Sequence, residues 1–277
     1  MTSPPRHEAG HDPAETPLND PSPRFAYREY GADDAVGEQA LAAEVAVAIS
    51  YNGINHAVMM ATPEHLEDFV VGFTLTAGLV DDARALYDIE LTVLEDAVEV
   101  AVTLSSRAFA GFKQQRRGQA GTGGCGLCGV EALDQALPPL PVRPQAPLPP
   151  PEHLEALRER FQATQRLARH SGAMHAAIYV DGNGETRLCR EDIGRHNALD
   201  KLIGACVRQG LDPADGFLAI TSRCGLELIH KAVRAGAGTL VSLSAPSSLS
   251  VRQARRSALN LIHQPRQGAP RLYSPPP

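Results

Sequence analysis

Two thiols stand two residues apart in Gly121-Thr-Gly-Gly-Cys125-Gly-Leu-Cys128-Gly129, a glycine-rich run close to Arg107, Lys113, Arg116 and Arg117. Three chemistries suit such a pair. It could be half of a structural zinc site, but zinc takes four ligands, and no second Cys-x-x-Cys or His pair stands at matching spacing. It could be a redox dithiol, which calls for a strand-to-helix junction rather than a run of glycines. It could be a sulfur-carrying thiol. Glycines let such a loop swing, and nearby cations lower a thiol pKa and favour the nucleophilic thiolate. The residues alone leave all three open. Cys189, Cys206 and Cys224 are scattered and read as small buried hydrophobes.

A second group is Glu191-Asp192-Ile-Gly-Arg195-His196-Asn197-Ala-Leu-Asp200-Lys201. It brackets a helix start, where Arg195 and His196 would form an anion site. The plainer alternative makes Asp192 an N-cap and Asp200 with Lys201 a solvated face. Thr221-Ser-Arg223, with Glu227 and Lys231 one turn apart, suits a phosphate or carboxylate at a strand-to-helix turn. His175 stands alone on a strand edge. It is followed by Ala-Ala and opens no His-x-Glu, so a zinc deaminase centre at His175 is not supported.

Charge is unevenly spread. The 277 residues carry a net charge of −6, yet residues 105–130 and 251–273 contain no acid. The second of these holds Arg252, Arg255, Arg256, Arg266 and Arg271. Such stretches read as anion-binding surfaces. They lack interleaved aromatics, so a phosphorylated small molecule fits better than nucleic acid. No apolar run reaches the ~20 residues of a membrane helix. Five cysteines are too few and too odd in number for a disulfide framework, which places the chain in a reducing, cytoplasmic compartment. Residues 1–23, with six prolines and no apolar core, read as a disordered tail without a secretory signal.

The elements that must position these groups fall into two units. Eight prolines between Pro138 and Pro151 mark a linker over 138–151. Before it, residues 24–137 predict a small α+β unit. Strands run over 44–51 and 54–60 around Asn52-Gly53, and a helix follows with Thr62 as N-cap and Pro63 at N1. Strands at 89–94 and 98–104 complete the unit, and residues 105–130 read as irregular. After the linker, residues 152–277 alternate helix and strand, which predicts a layered α/β sheet. Its helices are expected at 152–170, 195–208, 226–235 and from 248, and its strands at 176–181, 185–190, 216–221, 239–244 and 259–262. Ligands on such sheets sit where strands hand over to helices.

Together the motifs resemble the formate dehydrogenase accessory sulfurtransferase family, FdhD. The resemblance rests on Asn52-Gly53, Thr62-Pro63, Gly72-Phe73, Cys125-Gly-Leu-Cys128-Gly129, Gly172 through His175 to Ala177, and Glu191 through His196. It extends over Ala198-Leu-Asp-Lys201, Thr221-Ser-Arg223, Glu227 and Lys231. It implies a cytidine deaminase-like layered α/β domain over 152–277 and a homodimer. It also implies a sulfur carrier that takes persulfide sulfur from a cysteine desulfurase. The sulfur would pass to the molybdenum cofactor, bis-molybdopterin guanine dinucleotide, before that cofactor enters formate dehydrogenase. GDP would be a surrogate ligand. Cys125 would bear the persulfide and Cys128 would assist. The cofactor-binding segment would fall on Gln264, Pro265, Arg266, Gln267, Gly268 and Ala269, joined by Arg195, His196 and Arg223. Ala77 stands where the family usually has Glu, and His263-Gln264-Pro265 replaces a Gly-Phe-rich turn. A non-catalytic cofactor chaperone is the rival reading, and a small zinc module a third.

Overall fold

The computed structural model describes residues 20–31, 35–94, 97–120 and 140–276, with the backbone alone for 117–120. A short hairpin, β1 (Arg24–Arg28) and β2 (Val36–Ala40), precedes the first main sheet. That sheet has four strands in the order β4-β3-β6-β5. They are β3 (Val45–Tyr51), β4 (Ile54–Ala61), β5 (Leu86–Val93) and β6 (Ala97–Leu104). Alternation decides which face is covered: Val45, Val47, Ile49 and Tyr51 of β3 and Val98, Val100, Val102 and Leu104 of β6 are buried. Helix α1 (Leu66–Thr76) packs Leu66, Phe69 and Val70 on this face.

Residues 106–120 differ from expectation. They form helix α2 (Ser106–Ala120) rather than an irregular stretch. Phe112 is the physical reason. It buries fully against Tyr51 and His56, with ring centroids at 5.2 and 5.4 Å, and a helix brings Ala108 and Phe109 to the same face.

The second sheet has six strands in the order β12-β11-β10-β9-β7-β8. These are β7 (His175–Asp181), β8 (Thr186–Asp192), β9 (Gly216–Ile220), β10 (Thr239–Ser242), β11 (Asn260–His263) and β12 (Arg271–Ser274). Strands β9, β10 and β11 are parallel, and β7 and β12 run against their neighbours. Strand β7 is buried on both sides, as a sheet layered between helices requires. On one face lie α5 (Arg195–Arg208), α6 (Leu226–Arg234) and α7 (Ser248–Arg256), burying Leu199, Leu202, Ile203, Leu228, Ile229 and Ala254. On the other lie Leu154, Leu157 and Phe161.

Those last residues belong to the segment expected as one helix over 152–170. It is broken into a 3-10 turn (Pro151–Leu154), α3 (Leu157–Thr164) and α4 (Ala168–Ser171). Ala156 adopts a left-handed φ of 51°, which ends the first turn and lets Leu154 and Leu157 both reach the core. Thr62 also departs from its expected role. Helix α1 starts four residues later, after His65 at φ 55°, and the Thr62 hydroxyl accepts from Ile193 N at 3.1 Å.

The two sheets are joined through α1 and α5, which cross glycine against glycine. A Cβ on Gly72 would lie 1.9 Å from Asp200 O, and one on Gly204 would lie 1.9 Å from Asp68 O. Backbone meets backbone here, so no side chain can move aside. Gly204→Ala is therefore expected to lose about 3 kcal/mol, the upper end of typical overpacking. Urea unfolding measures this, and a variant as stable as the parent would mean the helices do not approach so closely.

Candidate functional site

The strand registers line up one edge of the six-stranded sheet. His175 at the start of β7 pairs with Asp192 at the end of β8, Ala177 with Ile220 at the end of β9, and Ser242 with both Ile220 and His263. The carboxyl ends of β8, β9, β10 and β11 thus share an edge with the amino end of β7. The chain leaves that edge through Arg195 and His196 into α5, through Thr221 to Arg223 toward α6, and through Gln264 to Ala269 toward β12. All nine sequence-predicted binding residues therefore follow strand ends on the same edge. Residues 266–269 are exposed, and the strand order sets the 264–269 segment two strand spacings, about 10 Å, from Arg223.

Cations converge here. Neither Arg195 nor Arg223 has a carboxylate within ion-pair distance among the described residues. Burial lowers the His175 pKa, and the charges of Arg195 and Arg223 lower it further against the opposing pull of Asp192. His196 is likewise lowered by burial first, then by Arg195 and Lys231, with Glu227 opposing; its Nε2 lies 3.8 Å from a Glu227 carboxylate oxygen. Burial and the neighbouring cations thus favour the neutral form of both imidazoles, against the carboxylates of Asp192 and Glu227. His196 Nε2 and Gln264 Oε1 are buried without a hydrogen-bond partner. The unpaired Arg195 beside the unsatisfied His196 Nε2, with Arg223 near His175, fits an anionic ligand that also carries hydrogen-bonding groups. The hydroxyls of Thr221 and Ser222 do not add to this. Thr221 Oγ1 accepts from Ala176 N at 2.9 Å, and Ser222 donates to Arg223 O at 3.1 Å.

A buried ionic frame holds the edge, and the sequence reading missed it. Asp200 and Lys201 are not a solvated face; both are buried. Lys201 Nζ lies 2.6 Å from Asp192 Oδ2 and donates to Thr62 O at 2.9 Å. Asp192 also accepts from the backbone of Thr62 at 3.0 Å and Gly194 at 2.7 Å, and from Asn197 Nδ2 at 3.0 Å. The helix N-cap is Gly194, so Asp192 tethers the turn rather than capping it. Asp200 takes Lys231 Nζ at 2.6 Å and Thr76 Oγ1 at 2.7 Å. Asp68 of α1 takes Arg190 at 2.8 Å and Arg208 at 2.6 Å. Burial pulls the Lys201 pKa down and the Asp200 pKa up, and each is opposed by its partner's charge. The available signal was the density of charge in 190–201; which charges face inward depends on α1, which arrives from the other sheet.

Three of the five cysteines lie within the described residues. Cys206 and Cys224 are buried, and burial pushes each thiol up to about 12; Cys189 is pushed up to about 11. Their thiolates are scarce at neutral pH. Cys125 and Cys128 lie outside the described residues. Among the described residues no group of three or more His, Cys, Asp or Glu side chains could hold a metal ion, and no helix is long and apolar enough to cross a membrane.

Comparison with known proteins gives a consistent set of matches. The FdhD/NarQ family matches residues 42–277. The sulfur carrier protein FdhD of Cupriavidus necator is 41% identical over 277 residues, covering 100% of this chain and 95% of that protein. The sulfur carrier protein FdhD of Xanthomonas euvesicatoria is 39% identical over 253 residues, 91% of this chain and 90% of that protein. A crystal structure described as that of a formate dehydrogenase accessory protein from Desulfotalea psychrophila superposes with a TM-score of 0.70. It covers 93% of this chain and 98% of that one at 19% identity, so it speaks to the fold.

Proposed function

Because the chain belongs to the FdhD/NarQ family, we propose that it is a persulfide sulfurtransferase serving formate dehydrogenase. It accepts sulfur from a cysteine desulfurase and delivers it to the guanine-nucleotide-bearing molybdenum cofactor. The observation that carries this reading is the exclusion of three thiols. Cys189, Cys206 and Cys224 are held as thiols by burial, which leaves Cys125 and Cys128, in the acid-free stretch after α2, as the reactive pair. The Cys125 thiolate attacks the outer sulfur of the donor's persulfide. The new bond joins Cys125 Sγ to that sulfur, the donor's S–S bond breaks, and the donor cysteine leaves as a thiolate, with no net oxidation. Arg116 and Arg117 stabilise the anion, and Cys128 assists. The protein works as a cytoplasmic homodimer.

In this reading the cation-lined edge of the six-stranded sheet holds the cofactor by its phosphates through Arg195, His196, Arg223 and the 264–269 segment. Holding the acceptor still beside the carrier makes proximity the main catalytic term. The layered unit over 152–277 is the cytidine deaminase-like domain, set off from residues 24–137 by the 138–151 linker. The chaperone alternative keeps this site and drops the thiol chemistry. Incubation with desulfurase and cysteine, followed by peptide mass mapping, separates them. The sulfurtransferase gains one sulfur, about 32 Da, on the Cys125 peptide; a chaperone gains none.

The binding half has its own expected result. GDP should bind at micromolar levels or better, and Arg195→Ala with Arg223→Ala should weaken it roughly tenfold or more. Binding should weaken with salt. An anion beside His175 opposes the downward shift of that imidazole, so binding takes up a proton and affinity should rise as the pH falls through the acid range where the imidazole titrates. Calorimetry across salt and pH measures all three. No heat under any condition would remove the nucleotide from the proposal.

A further inference from the structure

We propose that the outward face of α2 is a docking surface for an acidic patch on the protein that supplies the sulfur; this rests on the sulfur-carrier reading above. Helix α2 is anchored by one side. Phe112 is buried, and Phe109 stacks on it with centroids 6.2 Å apart. The opposite side exposes Arg107, Ala110 and Gly111, and Lys113 is exposed on the flank beside Phe109. Lys113 Nζ rests over the Phe109 ring at 4.6 Å, and neither Arg107 nor Lys113 has an ion-pair partner among the described residues.

Gly111 is the independent observation. A helix-interior glycine costs about 1 kcal/mol relative to alanine. Among the described residues nothing repays that cost: a Cβ at Gly111 would meet no described atom within 4 Å, and its backbone needs no left-handed φ. A helix glycine with no left-handed φ and no described neighbour leaves room for a close approach of another backbone. With Ala110 it makes a shallow notch, flanked by Arg107 on one side and Lys113 on the other. Those two side chains start about 9 Å apart along the axis and about 120° around it. Charges so divided on a convex surface cannot close on one phosphate, but they match carboxylates spread across a protein face.

The rest of the chain sharpens the choice of partner. Between Glu29 and Leu104 there are 15 acidic residues and one basic, Arg84, whereas 105–130 holds no acid. An acidic partner is repelled by the first stretch and attracted to α2, which sets its orientation. The described part of the helix runs to Ala120, and five residues of chain on to Cys125 can span at most about 18 Å. A donor seated on α2 is within reach of that cysteine.

The test uses the full chain and the cysteine desulfurase of the same organism, with inorganic polysulfide as a donor that needs no docking. Gly111→Ala should raise the melting temperature yet weaken desulfurase binding, opposite signs that a purely structural role would not give. Gly111→Leu and the pair Arg107→Glu with Lys113→Glu should each weaken binding roughly tenfold or more, the charge effect shrinking in high salt. Gly111→Ala and Gly111→Leu, which change no charge near the thiols, should load sulfur from polysulfide as the parent does. A parent that loads from polysulfide but binds desulfurase no better than the variants overturns the docking surface alone. So does a change of oligomeric state with unchanged desulfurase affinity, which assigns the face to a second copy of this chain. A parent that takes sulfur from neither donor overturns the sulfur-carrier reading and the docking surface with it.

Discussion

Replacing Lys201 by alanine is expected to destabilise the protein by about 3–5 kcal/mol, because it leaves a buried carboxylate without its counter-charge. Lys201 and Asp192 are both fully buried and 2.6 Å apart. The ammonium also serves the Thr62 carbonyl at 2.9 Å, at the end of a strand in the other sheet. Removing it uncovers a charge and strips a donor from a buried carbonyl at once. The damage reaches the site, since Asp192 holds Gly194 N, the residue before Arg195 and His196. GDP affinity should therefore fall along with the urea midpoint. Pairing Lys201→Met with Asp192→Asn should cost less than the two single changes added together, since neither charge is then left alone. A Lys201→Ala protein within about 1 kcal/mol of the parent would show that the pair contributes little and that Asp192 finds other compensation.

Cys125→Ala is expected to abolish sulfur acceptance and to drop the activity of the client formate dehydrogenase to background, with the urea midpoint unchanged. Cys128→Ala should be milder. Cys206→Ala and Cys224→Ala should do the reverse: normal sulfur loading with a measurable loss of stability, because both side chains fill packed space. Peptide mapping of the sulfur adduct, run beside unfolding curves on all four variants, gives the comparison. Sulfur found on Cys206 or Cys224 of the folded protein would overturn the exclusion argument. A loading-deficient Cys128→Ala beside an active Cys125→Ala would exchange the two roles.

These two expectations come from different levels of the molecule. The helix over 195–208, the hairpin at Asn52-Gly53 and the alternating β3 and β6 were legible in the chain itself, because each depends on local spacing: period two in a strand, period 3.6 in a helix, a turn dipeptide. The resemblance to the family rested on the same local motifs. Helix α2 was not legible, because its glycines and polar residues argue against a helix until Phe112 finds Tyr51 and His56 on strands about sixty residues earlier. The inward direction of Asp200 and Lys201 was not legible either. Charge on a helix is ordinarily solvated, and only the arrival of α1, backbone against backbone at Gly72 and Gly204, turns that face into an interior. The same holds for the candidate site's edge. Sequence named Arg195, His196, Arg223 and the 264–269 segment one by one. The parallel course of β9, β10 and β11, with β7 reversed beside them, set them along one edge, because strand direction decides which ends of a sheet meet.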